Sequence, residues 1–142
     1  MATMDDDEIR SFLSSGTRTA KVATVRADGR PHVAPVWFAV DDDGSLVFTT
    51  GAGTVKGRNL RRDPRVSISV DEEDPPYSFV LIDGTAELSD DIDELSRWAT
   101  TLGGRYMGED RAEAFGRRNA VPGELLVRIR PSRTAGQKDI AD

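Results

Sequence analysis

Cysteine is absent from the 142 residues, and His32 is the only histidine. Disulfides, iron–sulfur clusters and thiol nucleophiles are thereby excluded, and a zinc site has almost no donors to draw on, so no metal is expected. Long apolar runs are missing too. No stretch approaches the roughly 20 residues of a membrane span, and Met1-Ala2-Thr3-Met4-Asp5-Asp6-Asp7 is acidic where a secretory signal needs a basic segment followed by an apolar one. The expectation is a cytoplasmic protein without membrane partners. An excess of positive charge is the third absence. The net charge is −6, from 19 Lys and Arg against 25 Asp and Glu, which argues against general nucleic-acid or anionic-membrane binding. The serines, among them Ser14 and Ser15, have no histidine and acid at triad spacing, so hydrolase chemistry finds no support. What is present is globular: 37% apolar and 31% charged residues in a length that fits one domain over 1–142. The polar balance leaves room for a second subunit to complete a ligand site.

Along the chain, 5–15 carries Ile9, Phe12 and Leu13 at helical spacing behind an acidic start, which predicts a short amphipathic helix. From Thr19 the texture becomes β-like, with strands expected over Thr19–Arg26, His32–Val40 and Ser45–Thr50. Asp and Gly turns separate them, so an antiparallel meander should follow. Thr54 is the natural N-cap of a short basic helix over 54–62, ended by Asp63-Pro64. Arg65–Asp71 alternates Val66, Ile68 and Val70 against serines, and Ser78–Leu88 is β-rich with a bend at Asp83-Gly84. Barrel strands thus occupy 19–88. A helical insertion over 90–119 opens with a helix carrying the stripe Ile92, Leu95, Trp98, Ala99 and Leu102, with Gly103-Gly104 read as that helix's stop, and continues in a second helical piece near Glu109–Asn119. The last strand is placed at 124–131 and a polar tail at 132–142. With no repeat and no βαβ rhythm, the pattern is a small, mainly β barrel of five or six antiparallel strands with added helices.

Chemistry concentrates in Thr49–Asp63, where the charge runs against the rest of the chain. Lys56 falls in the first turn of the expected helix, where the macrodipole disfavours a cation by about 0.3–1 kcal/mol unless an anion there gains from both the lysine and the free amides. Glycines on the approach let backbone N–H groups come close to such an anion, and Thr49, Thr50 and Thr54 add hydroxyls. A solvated basic face is the other reading of the same helix. The Gly-Lys-Ser/Thr order of a P-loop is absent. Pro35 interrupts the expected strand His32–Phe38, marking an edge, a bulge, or backbone that faces something other than a strand, such as a flat ring. Trp37 and Phe38 would then pack against that ring, or serve as core or interface aromatics. Asp41-Asp42-Asp43-Gly44 lacks calcium-loop spacing and reads as a hairpin turn. Tyr77, after the stiff acidic loop Asp71–Pro76, either reaches a ligand or simply ends the loop.

Taken together, Pro35-Val36-Trp37-Phe38, then Phe48-Thr49-Thr50, then Thr54-Val55-Lys56-Gly57-Arg58-Asn59-Leu60-Arg61-Arg62-Asp63-Pro64-Arg65-Val66-Ser67 resembles the flavin/deazaflavin oxidoreductases related to pyridoxamine phosphate oxidase. The resemblance covers nearly the whole chain and implies a six-stranded antiparallel split β-barrel, the FMN-binding split barrel, acting as a homodimer with cofactor at the subunit interface. Carried over by position, it makes Lys56, Thr49, Thr50 and Asn59 phosphate or ribityl contacts, with Arg58 or Arg61 in support and Tyr77 in reach of the ligand. It makes Val33, Ala34, Pro35, Val36 and Trp37 ring contacts. The chain looks like the branch that uses coenzyme F420, whose anionic tail would lie along Arg61, Arg62, Arg128 and Arg130. The implied activity is hydride transfer between reduced deazaflavin and a conjugated or unsaturated small molecule, with the proton from water, Tyr77 or another group. An FMN-binding oxidoreductase and a non-catalytic flavin or deazaflavin carrier are the alternatives within the same fold.

Overall fold

In the computed structural model, which describes residues 1–142, a two-residue strand β1 (Ala2–Thr3) precedes helix α1 (Asp6–Ser14). The acidic start builds that helix's cap. Asp5 Oδ1 accepts the Glu8 N–H at 2.8 Å and the Glu8 carboxylate accepts the Asp5 N–H at 3.2 Å, a reciprocal capping box. Then follow β2 (Ala20–Val25), β3 (Pro31–Val36), β4 (Ala39–Val40), β5 (Leu46–Gly51), α2 (Val55–Arg62), β6 (Arg65–Glu72) and β7 (Ser78–Ser89). Helix α3 (Ile92–Met107), a 3-10 turn (Glu109–Arg111), α4 (Ala112–Asn119) and β8 (Glu124–Lys138) complete the chain. Every pairing is antiparallel, in the order β3-β2-β6-β7-β8-β5-β4, with β1 on the end of β8. The six long strands are the six expected, curled around Val22, Phe48, Val70, Val80, Val127 and Ile129. β5 and the first part of β8 are covered on both faces. Val47 and Leu126 turn outward onto Leu95, Trp98 and Leu102 of α3, which is why Leu46-Val47-Phe48 and Leu125-Leu126-Val127 are apolar at consecutive positions. No helix is long and apolar enough to cross a membrane.

Three expectations are corrected. The strand expected over His32–Val40 is broken at Trp37-Phe38, and its halves sit at opposite ends of the sheet order. β3 pairs only with β2 and β4 only with β5, so there is no continuous meander: the two edges of the curled sheet are joined through these two residues. A residue outside the ladder must find other partners for its backbone. The Phe38 N–H donates to Tyr106 Oη at 3.2 Å, and the Phe38 C=O accepts from Arg105 Nη1 at 2.6 Å. Tyr106 Oη donates onward to the Arg18 C=O at 2.7 Å, and its ring stacks on Trp37 with centroids 5.1 Å apart.

Gly103-Gly104 does not end the helix, which runs on to Met107. These glycines serve packing instead: a Cβ on Gly103 would lie 2.5 Å from the Phe115 Cβ, so α4 could not approach. Finally, β8 extends seven residues past the end placed at Pro131, so most of the expected polar tail is strand. The register slips at Asp83/Gly84, opposite Pro131, where a missing N–H costs little. Beyond the slip, β8 pairs with the first half of β7 from Arg133↔Asp83 to Gln137↔Phe79. Its side chains over Arg130–Ala135 face solvent, which explains their polarity. Lys138 then meets the Glu8 carboxylate and fastens the strand's end to α1.

Tyr106→Phe should cost about 1–3 kcal/mol in urea unfolding, because it leaves the Phe38 N–H and the Arg18 C=O without their partner while keeping the ring stack.

Candidate functional site

Helix α2 is seated by its own first turn and by one buried side chain. Thr54 Oγ1 accepts the Gly57 N–H at 3.1 Å and donates to the Gly51 C=O at 2.8 Å. Its single proton is thereby used, so Thr50 Oγ1, 3.0 Å away, is the donor of the pair. A Cβ on Gly57 would fall 2.4 Å from the Gly51 oxygen, so only glycine permits this closeness. The first backbone bond across the cap runs from the Arg58 N–H to the Thr54 C=O at 3.0 Å, which leaves the Val55 and Lys56 amides at the open end of the helix.

Asn59, only 4% exposed, faces inward. Its Nδ2 donates to Thr24 Oγ1 at 3.0 Å, and its Oδ1 accepts from Arg62 Nη2 at 2.9 Å, while Arg62 also bonds the Val25 C=O at 2.7 Å. Asn59 and Arg62 therefore hold α2 onto β2. Thr50, 5% exposed, likewise braces the turn, and Thr49 is half-buried beside it.

Lys56 is half-buried in the first turn and forms no ion pair. Glu124, the first residue of β8, lies close enough for the two charges to interact. Burial pushes the Glu124 carboxyl above its ordinary value, and Lys56 opposes that rise. Arg58 and Arg61 are exposed. Between α2 and the β2–β3 turn, a groove of about 370 Å³ is lined by Arg26, Arg58 and Arg62, with Asp28 its one acid.

β3 is the free edge of the sheet, which accounts for Pro35: the missing N–H faces no strand on that side. Val33, 65% exposed, and Pro35 point outward, Ala34 is half-buried, and Val36 turns into the core. Trp37 closes the strand at the corner, against Tyr106 and edge-on to Phe115. Within one protomer, then, β3, Thr49, Thr50 and Lys56 lie around the gap between β3 and β5, and Tyr77 does not. Tyr77 sits in the β6–β7 turn, at the far end of an eight-residue strand from α2, which places it roughly 25 Å away. It adopts φ +64°, and its C=O accepts the Ile140 N–H at 3.1 Å.

Arg128 and Arg130 are not free for an anionic tail, which corrects that expectation. Arg128 Nη1 binds Asp41 Oδ2 at 2.7 Å and Ser45 Oγ at 2.7 Å, and Arg130 binds Asp43 at 2.6 Å and Glu87 at 3.2 Å. The acidic turn Asp41–Gly44 is pinned by these guanidinium groups. Sequence reasoning missed Arg26, Arg105, Tyr106 and Glu124. None stands in a motif: Arg105 and Tyr106 find their partners, and Arg26 and Glu124 come to the neighbourhood of α2, only through segments distant in the chain.

Residues 5–138 match the family model described as pyridoxamine 5'-phosphate oxidase. The solved structure of a conserved hypothetical protein from Mycobacterium tuberculosis is 31% identical with a TM-score of 0.83, covering 98% of this chain and 89% of that one. A structure described as an F420 reductase is 28% identical with a TM-score of 0.69, covering 87% and 94%. Among curated proteins, a 5a,11a-dehydrotetracycline/5a,11a-dehydrooxytetracycline reductase from Streptomyces rimosus subsp. rimosus is 36% identical over 74 residues, or 47% of this chain. The chain matches about half of that relative, 52% of its length.

Two outcomes follow from the geometry. Asn59→Ala should cost about 2 kcal/mol in chemical unfolding, since it strips a buried Thr24 and Arg62 of a shared partner. Asp41 and Asp43 are both held below the ordinary 3.8, Asp41 chiefly by Arg128 and Asp43 chiefly by Ser45 with help from Arg130. A lowered folded value means the turn's contribution is fully present above pH 3.8 and is lost as pH falls through the folded values. Carboxyl-carbon NMR titration of Arg128→Ala should return Asp41 toward 3.8.

Proposed function

The chain belongs to the pyridoxamine 5'-phosphate oxidase family, and from that premise we propose that it is an F420-dependent reductase acting on a conjugated or unsaturated small molecule. The observation that carries the reading is Lys56: a half-buried ammonium without an ion-pair partner, in the first turn of a helix whose leading amides are open, beside the proline-bearing free edge of β3. A cation there is disfavoured by the helix dipole unless an anion joins it. Likeness to an F420 reductase and to a reductase of a dehydro compound favours the deazaflavin over FMN.

When bound, the deazaflavin supplies the hydride chemistry, and the protein supplies position and electrostatics. Lys56 and the Val55 and Lys56 amides take the phosphate, with Thr49 at its flank. Thr50 and Asn59 act one step back, fixing the turn and the helix that present those donors. Val33, Ala34, Pro35 and Val36 lie along the ring, where Pro35 leaves no N–H to compete for it, and Trp37 closes the far end. An anionic tail runs along the Arg26, Arg58 and Arg62 groove, with Arg61 beside it, rather than toward Arg128 and Arg130.

The active form is a homodimer. Pro35, Lys21, Ser69, Leu81 and Ala135 share one row across the outer sheet face, where Leu81 is 47% exposed, and a second copy laid on this face would cover that apolar surface. Only a second copy can bring Tyr77 to a cofactor held by Lys56.

Parallel titration with F420 and FMN, read by quenching of the Trp37 and Trp98 fluorescence, should give tighter F420 binding. Lys56→Ala should weaken it by about tenfold or more, the size of a lost charged hydrogen bond. Preference for FMN would move the assignment to a flavin oxidoreductase, and binding of neither would sink the cofactor reading. Light scattering of the same sample should return twice the mass of the 142-residue chain.

A further inference from the structure

Glu124 is a carboxylate placed where an anion site should not want one. In the β5–β8 ladder it pairs with Gly51, the residue at which the chain turns toward α2. The Ala52 N–H donates to the Gly123 C=O at 2.7 Å, tying the two segments side by side. Glu124 Oε1 lies 3.6 Å from the point a Cβ would occupy on Gly51, so the carboxylate leans on the turn that carries Thr54 and Lys56. It is half-buried, and neither it nor Lys56 has an ion-pair partner. The two charges influence each other without touching.

The two side-chain charges cancel. Lys56 contributes one positive charge, Glu124 one negative charge, and the N-terminus of α2 about half a positive charge. What remains attracts an anion weakly. The cost of stripping water from an ion grows as the square of its charge, so a dianion loses about four times what a monoanion loses, and this residual potential cannot offset it. We infer that Glu124 is a charge filter: it fits the site to an anion of one negative charge, as a phosphodiester carries, and disfavours the two charges of a phosphomonoester. The inference rests on the reading of Lys56 as the phosphate contact. Its consequence is a selection between cofactor classes made at the phosphate rather than at the ring. F420 carries its phosphate in a diester. FMN carries a monoester, whose second proton leaves near pH 6, as in other phosphate monoesters.

Dimethyl phosphate and methyl phosphate separate charge from ring. At pH 8 the first is a monoanion and the second a dianion, and each is read by the shifts of the Val55 and Lys56 amide resonances. The interaction with Glu124 scales with ligand charge, so Glu124→Gln should tighten dimethyl phosphate by about threefold and methyl phosphate by about tenfold, the square of the smaller factor. The substitution keeps the side chain's shape, and unchanged Leu125 and Val127 resonances will verify the strand. An unaltered ratio between the two esters, or no response of either amide to either ester, overturns the inference. F420 and FMN titrations of the same variant distinguish the two readings. If the esters respond as stated but F420 does not bind, the filter stands and the F420 assignment falls. If F420 binds and the ester ratio is unchanged, the filter falls and the assignment stands.

Discussion

The structure depends on how the chain changes edges at Trp37-Phe38. A curled antiparallel sheet that splits between β3 and β5 must carry the chain across the split, and the residues that cross lose their ladder partners. An unpaired backbone group in a buried place is expensive. Here Arg105 and Tyr106 take both polar groups of Phe38. Arg105 also reaches the Leu13 and Gly16 carbonyls at the end of α1, a helix with no basic residue in its own last turn. One turn of α3 thus completes a sheet, ends a helix and stacks on Trp37. The glycines that let α4 press against α3 bring Phe115 edge-on to the same tryptophan. The helical insertion is therefore a part of the barrel's closure, and the free edge of β3, with Pro35 on it, follows from it.

Charge is handled in two ways. Several cations are paired: Arg18 with Glu72, Lys21 with Asp71, Arg65 with Asp63, and Arg128 and Arg130 with the acidic turn. These exposed or half-exposed pairs fix turns and strand ends more than they add stability. Along α2, Lys56, Arg58 and Arg61 form no ion pair, although Glu124 stands near enough to Lys56 for their charges to interact, in a chain of net charge −6. With Arg128 and Arg130 engaged by the acidic turn, Arg26, Arg58 and Arg62 are the cations that line a groove beside α2.

Much was legible in the amino-acid order because the deciding interactions are local. The capping box at Asp5 and Glu8, the N-cap at Thr54, the alternation of Val66, Ile68 and Val70, and the kink at Asp83-Gly84 each involve residues within a few positions of one another or a period fixed by backbone geometry. The same locality exposed the placement of Lys56 in the first turn of α2 and the oddity of Pro35. Tertiary structure decided the rest, because those outcomes depend on pairings between distant segments. Whether Gly103 stops a helix or admits Phe115, whether Arg128 stands free or is held by Asp41, and whether the Asn59 amide finds Thr24 depend on contacts 12, 87 and 35 residues apart. A proline and a run of polar residues truly resemble a tail until a neighbouring strand supplies a register for them, as β7 does for Arg133–Gln137. Composition, caps and periodicity are set by nearest neighbours along the chain. The site's electrostatics, with Glu124 brought beside Lys56, are set by the sheet.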